Sequence, residues 1–162
     1  AVTSIRMPTK PPSGVRRSAT RRCRPSSSFC SCIPELARCI ANRSAIGAWE
    51  SFQVDGQLTT GQTVGLRANQ GTSGWVAAEW GGGGEVNANR ATQSTWETFT
   101  VVKVAGSAGS AVGSGDAFAL RTWNGANYVC AEYGGAAPLV ANRTAIGQWE
   151  TFTAVFVPRA YP

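Results

Sequence analysis

Val64, Leu66 and Ala68 alternate with Gly65 and Arg67. A period of two over this stretch predicts a short strand over 61–68 with one face buried. Asn69 to Gly74 reads as a turn on its Asn, Gly and Ser content. Trp75 to Trp80 predicts a second strand, with Val76 and Ala78 on one face and Trp75, Ala77 and Glu79 on the other. Gly81 to Gly84 predicts a tight turn, because backbone without Cβ atoms reaches positive φ freely. Val86 to Asn89 is a third strand. Trp96 to Val101 is a fourth, with Trp96 and Thr98 on one face and Glu97, Phe99 and Val101 on the other.

The same pattern then returns. Ala117–Arg121 answers the first strand, and Asn127–Gly135 answers Gly74–Gly82 with one residue fewer in the preceding turn. Ala105–Gly115 is a Gly/Ser/Ala linker between the two units. A phrase of constant form closes each unit. It reads Ala41-Asn42-Arg43 with Trp49-Glu50-Ser51-Phe52, then Ala88-Asn89-Arg90 with Trp96-Glu97-Thr98-Phe99, then Ala141-Asn142-Arg143 with Trp149-Glu150-Thr151-Phe152. The tryptophans stand 47 and then 53 residues apart, a spacing that marks an internal repeat. The chain of 162 residues therefore divides into unit one (about 1–54), unit two (about 55–104) and unit three (about 105–157) of one domain. Each unit holds four short strands, and three units are too few blades to close a propeller. They predict an all-β fold, a β-trefoil with three pseudo-symmetric four-stranded repeats. In it a six-stranded barrel is capped by three hairpins, and no unit buries its apolar face alone.

Residues 1–38 break the pattern. They are rich in Arg, Ser, Pro and Cys and show neither a strand nor a helix period. Sliding unit two back by 47 positions puts Glu79 on Cys32 and Gly81 on Pro34. Two explanations stand: divergence of the first half of unit one, or a translation out of frame that returns to frame near Arg38. The charge is just as uneven. Residues 1–43 hold nine basic side chains against Glu35 alone, whereas residues 44–162 hold six basic and eight acidic ones. The net charge of +6 thus belongs to one end and not to the repeats. Its arginines lie among prolines and serines without interleaved aromatics, so no nucleic-acid partner is expected. No apolar run approaches the roughly 18 residues of a membrane helix, and Ala1–Arg24 has no apolar stretch of the signal-peptide kind. Cys23, Cys30, Cys32 and Cys39 cluster, with Cys130 far off. Without a histidine and with Cys30 and Cys32 so close, this is a poor zinc set, while one or two disulfides would suit a secreted protein. No cofactor is implied.

Tyr128-Val129-Cys130-Ala131-Glu132-Tyr133-Gly134-Gly135, then Val140-Ala141-Asn142-Arg143, then Gly147-Gln148-Trp149-Glu150-Thr151-Phe152 resembles the fascin-like β-trefoil repeat. In detail it looks similar to the family 92 carbohydrate-binding modules attached to secreted bacterial glucanases. The resemblance covers residues 39–157. It implies a non-catalytic, secreted, monomeric trefoil that binds β-1,3- and β-1,6-linked glucans at up to three equivalent sites, within a longer chain that carries a glycoside hydrolase. Fascin-like trefoils that bind actin or another protein, and lectins for other glycans, are the alternatives.

Sugar recognition needs an aromatic plate and a few polar groups that fix hydroxyls. Unit two offers Trp75, Glu79, Trp80, Asn89 and Arg90; unit three offers Trp123, Tyr128, Glu132, Tyr133, Asn142 and Arg143. Glu79 and Glu132 stand beside an aromatic and just before a glycine turn, which suits ligand contact. Trp80 and Tyr133 suit stacking platforms. Trp49, Trp96 and Trp149, constant and placed in a regular strand, are expected in the core with Phe52, Phe99 and Phe152. Glu50, Glu97 and Glu150 are expected to pin the turns through arginine or backbone donors. Arg43, Arg90 and Arg143 either close a salt bridge or touch ligand. Unit one has no counterpart of Glu79 or Trp80, so two working sites are expected. The absence of histidine removes any Ser-His-Asp triad. A carboxylate pair such as Glu79 and Glu97 would have to build the same hydrolytic site more than once.

Overall fold

Val64, Leu66 and Ala68 alternate in a strand as their period of two predicts, and the computed structural model describes residues 2–6, 29–32, 38–43, 45–69, 74–135 and 137–157. Unit one contributes β1 (Val2–Arg6), β2 (Phe29–Cys32), β3 (Cys39–Arg43) and β4 (Ser51–Gly56). Unit two contributes β5 (Thr63–Ala68), β6 (Trp75–Ala78), β7 (Val86–Arg90) and β8 (Phe99–Lys103). Unit three contributes β9 (Ala117–Thr122), β10 (Tyr128–Ala131), β11 (Leu139–Arg143) and β12 (Phe152–Val157). No α-helix occurs among the described residues.

The pairings close a ring. β1 pairs with β4, β4 with β5, β5 with β8, β8 with β9, β9 with β12, and β12 back with β1, all antiparallel. These six strands form the barrel, whose closure leaves no free edge among them. The remaining strands form the hairpins β2–β3, β6–β7 and β10–β11. The hairpins meet one another through the bridges Arg38–Asn87, Ile40–Pro138 and Glu85–Val140. The Arg38 guanidinium also pairs with Glu85 at 3.1 Å. The protein is thus an all-β trefoil of three four-stranded units.

The core repeats with the same symmetry. Phe52, Phe99 and Phe152 are buried together, as are Cys39, Val86 and Leu139, and Ala41, Ala88 and Ala141. Leu66 with Leu120 and Val76 with Val129 complete the wall around a void of about 20 Å³. Its lining is wholly apolar, so it offers a water no partners. Phe118 packs on Phe152 with ring centroids 6.2 Å apart.

Three expectations need correction. β1 and β2 lie within residues 1–38, where the sequence shows no period, and stand where β5 and β6 or β9 and β10 stand in the other units. Apart from Arg38, the rest of that stretch, with the question of its reading frame, lies outside the described residues, as do residues 70–73 of the turn before Trp75. The fourth strand of unit two begins at Phe99 and not at Trp96. Residues 95–97 form a turn instead. In a turn, alternation no longer assigns faces, so Glu97 points inward and Trp96 outward. Trp49, Trp96 and Trp149 are accordingly 39, 38 and 36% exposed, while Phe52, Phe99 and Phe152 enter the core. Likewise the strand from Trp75 stops at Ala78, and Glu79–Gly81 is a single 3₁₀ turn.

Candidate functional site

Each full unit places its candidate residues where a hairpin end meets the closing phrase. A backbone hydrogen bond ties the two parts: Ala78 N–H donates to the Trp96 carbonyl at 2.9 Å, and Ala131 N–H to the Trp149 carbonyl at 2.8 Å. The phrase turn is built alike in all three units. A carboxylate accepts the backbone N–H three residues before it: Gly47 to Glu50, Ser94 to Glu97 and Gly147 to Glu150, each at 2.8 Å. A hydroxyl one residue further on donates back to the same turn: Ser51 to the Gly47 carbonyl, Thr98 to Ser94 and Thr151 to Gly147, at 2.7–2.8 Å. The three carboxylates are buried.

In units two and three an arginine then joins the buried carboxylate to the hairpin. Arg90 Nη2 contacts Glu79 Oε2 at 2.7 Å and its Nε lies 3.5 Å from Glu97 Oε1. Arg143 Nη2 contacts Glu132 Oε1 at 2.6 Å and its Nε lies 3.8 Å from Glu150 Oε1. Nη1 of each arginine donates to its neighbour, Asn89 Oδ1 at 2.9 Å and Asn142 Oδ1 at 3.2 Å. Every nitrogen of the guanidinium is therefore engaged, which makes the arginine a post that orients the outer carboxylate. The cluster of two carboxylates and one guanidinium carries a net −1, which suits hydroxyl donors. Asn87 Nδ2 also donates to Glu79 Oε1 at 3.0 Å, so both oxygens of Glu79 are held. Unit three has Val140 at the position of Asn87, and Glu132 Oε2 accepts from nothing among the described residues.

The aromatic next to the outer carboxylate is presented by strained backbone. Trp80 has φ +61° and Tyr133 has φ +57°, the only non-glycine residues with positive φ among the described residues. The left-handed region costs an ordinary side chain about 1–2 kcal/mol, and large aromatics are uncommon there. Both rings stand out from the surface, 77 and 76% exposed. Backbone in this region clusters at active sites and ligand clamps, and here it recurs at the same place in two units.

The tryptophan of the phrase completes the platform. The Tyr133 and Trp149 rings pack with centroids 5.8 Å apart at 57°. In unit two, a Cβ built on Gly81 would stand 3.3 Å from Trp96 Nε1, and one on Gly84 would stand 3.2 Å from Trp80 Cε3. Both indoles thus lie against the same glycine turn. An open depression of about 280 Å³ beside them is lined by Arg90, Trp96 and Glu97 with Thr92, Ser94 and Thr95. Trp96 and Trp149 are the site residues that strand alternation hid. The signal for them was the carboxylate three residues after Ser94 or Gly147, the spacing of the carboxylate half of a capping box, which indicates a turn.

The remaining candidates fall in two places. Trp75 and Tyr128 are half-buried and sit opposite Arg90 and Arg143 in the ladder. Trp123 does not join the unit-three cluster with which the sequence grouped it. It lies on the turn after β9, 59% exposed, and lines a separate depression with residues of unit two. In unit one, Gly47, Glu50 and Ser51 repeat the turn, but the side chains of Asn42 and Arg43 lie outside the described residues.

In the same strand as Tyr128, the Cys130 thiol is buried and forms no disulfide. Burial, then a hydrogen bond to Glu150 and the charges of Glu150 and Glu132, push the Cys130 thiol up to about 12, against a smaller opposing pull from Arg143. The thiol is therefore protonated and inert at neutral pH.

No protein-family model and no curated protein matches the chain. Solved structures do. A designed threefold-symmetric protein, ThreeFoil, is similar at TM-score 0.60 and 11% identity, over 82% of this chain and 92% of that one. The SDF2-like protein from Arabidopsis thaliana is similar at TM-score 0.62 and 10% identity, over 98% of this chain and 97% of that one. A Caenorhabditis elegans protein of unknown function is similar at TM-score 0.63 and 11% identity, over 96% and 93%. At such identities the likeness concerns the trefoil fold alone.

Proposed function

We propose that this trefoil is a non-catalytic carbohydrate-binding module of the fascin-like, family 92 kind, which holds β-glucan outside the cell through repeated surface sites. One observation carries the reading: two units independently present an exposed aromatic on left-handed backbone, beside a carboxylate locked by an arginine. The ring offers a flat apolar face to a pyranose, and the carboxylate accepts its hydroxyl protons. Phrase tryptophans Trp96 and Trp149 widen the plate. The arrangement favours binding over hydrolysis, since both carboxylates of a site hold one guanidinium and do not face each other across a cleft. An adjoining glycoside hydrolase domain would supply the chemistry.

Affinity electrophoresis through laminarin and pustulan tests the reading, with F-actin cosedimentation and a glycan array as the competing arms. Wild type is retarded by at least one of the two glucans. Trp80→Ala and Tyr133→Ala each weaken the retardation, and their combination abolishes it. Retardation unchanged in the double variant, or binding to F-actin with none to glucan, overturns the proposal.

A further inference from the structure

We propose that the junction of units two and three carries an additional sugar subsite, built around Trp123, so that the unit-two site takes a longer glucan chain than the unit-three site. This rests on the glucan-binding reading above. The depression beside Trp123 measures about 500 Å³ and is lined by Thr63, Gln93, Ser94, Thr95 and Thr98 besides the indole. It shares Ser94 and Thr95 with the depression beside Trp96, so the two adjoin. Its wall holds hydroxyls, one amide and one aromatic face, with no charged side chain. That set fits a neutral polyhydroxylated ligand and gives an anion or a cation no counter-charge.

The subsite is built and not incidental. The turn that carries Trp123 is locked from within. Thr122 N–H donates to the Asn127 carbonyl at 2.8 Å and Gly125 N–H to the Thr122 carbonyl at 2.9 Å. The buried Thr122 hydroxyl lies 2.7 Å from Asn124 Oδ1 and 3.0 Å from the Asn127 carbonyl, and Asn124 Oδ1 also accepts from Ala126 N–H at 2.9 Å. The same turn lies against the Trp80 loop. A Cβ on Gly82, where φ is +122°, would stand 2.7 Å from Thr122 Oγ1 and 2.8 Å from Asn124 Nδ2. Only glycine allows that approach, and it brings Trp123 to the unit-two side of the boundary.

The sequence breaks symmetry at the same spot. Thr92-Gln93-Ser94-Thr95 is polar throughout, whereas the matching positions read Ala45-Ile46-Gly47-Ala48 and Ala145-Ile146-Gly147-Gln148. Gln93 lies directly over Gly65, where a Cβ would stand 2.5 Å from its Nε2; unit three has Ala119 at the matching position and Ile146 in place of the glutamine. Trp123 itself answers to Asn69 in unit two. An aromatic plate, a polar wall and the bare backbone that admits the amide thus occur together at one junction.

Titration calorimetry with β-1,3- and β-1,6-linked gluco-oligosaccharides of two to six units tests this. The proteins are wild type, Trp123→Ala, Tyr133→Ala and the double variant Tyr133→Ala/Trp123→Ala. In the Tyr133→Ala background, adding Trp123→Ala should weaken the longest oligosaccharide roughly three- to ten-fold, the scale of one stacked aromatic, and leave the shortest unchanged. Gln93→Ile, which restores the side chain of the other units, should shift the length dependence the same way. Trp123 is exposed, so its removal leaves the fold intact. Equal weakening at every length, or none, overturns the extra subsite while leaving glucan binding in place. Failure of wild type to bind any oligosaccharide overturns both.

Discussion

Trp80 and Tyr133 concentrate the argument at the scale of single residues. A side chain that is mostly exposed gains little from packing, so it offsets only a small part of the cost of the left-handed backbone beneath it. Asparagine tolerates this region far better than tryptophan. Trp80→Asn should therefore leave stability unchanged or raise it by about 1 kcal/mol, measured by urea unfolding, while glucan binding at unit two is lost. A variant that loses stability and binding together would make the ring structural. Cys130 makes the opposite case, a reactive type in an inert place. Its folded pKa is raised to about 12 by burial and Glu150. A raised pKa means that the folded state holds the proton more tightly. Its contribution is complete below the unfolded value of about 8.5 and is lost as pH climbs towards the folded value. Ala77 fills the same place in unit two. Cys130→Ala should therefore fold normally and flatten the fall in melting temperature above pH 9 or so.

At the scale of elements, the closing turn is the part the sequence disguised. Val64, Leu66 and Ala68 alternate, and a strand follows from them. Trp96-Glu97-Thr98-Phe99 also alternates, yet only Phe99 enters a strand. Two local bonds decide this, the carboxylate of Glu97 on Ser94 N–H and the Thr98 hydroxyl on the Ser94 carbonyl. Periodicity sees polarity and not such bonds, so it placed the tryptophan inside when it lies outside. Glu79 and Trp80 were legible because a glycine run follows them, whereas the path of Trp123 across the unit boundary depends on tertiary contacts that no local pattern records. The turn bonds also set an energy order. Glu97 is buried, with a backbone N–H and Arg90 as partners. Glu97→Ala should cost about 2–3 kcal/mol, the range for a buried charged hydrogen bond. Glu79→Ala should cost less than about 1 kcal/mol, because its side chain is partly solvated. Chemical denaturation of the two variants compares them directly, and equal losses would contradict the distinction.

The whole molecule sets the number of sites. Threefold symmetry runs through the core at Phe52, Phe99 and Phe152, at Cys39, Val86 and Leu139, and at Ala41, Ala88 and Ala141, whereas the sequence of unit one has no counterpart of Glu79 or Trp80. The core needs the same wedge three times to close the barrel; a surface site can lapse without opening it. On the glucan-binding proposal, two linked sites would gain from each other on a polymer, since the second encounter is intramolecular. Oligosaccharide titration should give a stoichiometry of two. Either single platform variant should halve it with affinity at the other site kept. Retention on insoluble glucan should fall far more, by about 100-fold on the scale of lost avidity. A stoichiometry of three would show that unit one binds as well, without Glu79 or Trp80 counterparts.

The ring of strands is closed by β1 against β12, with Val2 opposite Val157 and Arg6 opposite Thr153. The outer ends of these two strands lie side by side, and their ladder bonds run perpendicular to both. Tension applied to that pair of ends loads the bonds one after another, like a zip, and never all five positions in shear. Drawing those two ends apart would therefore open the barrel at this seam, one ladder position at a time, and leave the β6–β7 and β10–β11 hairpins paired until later.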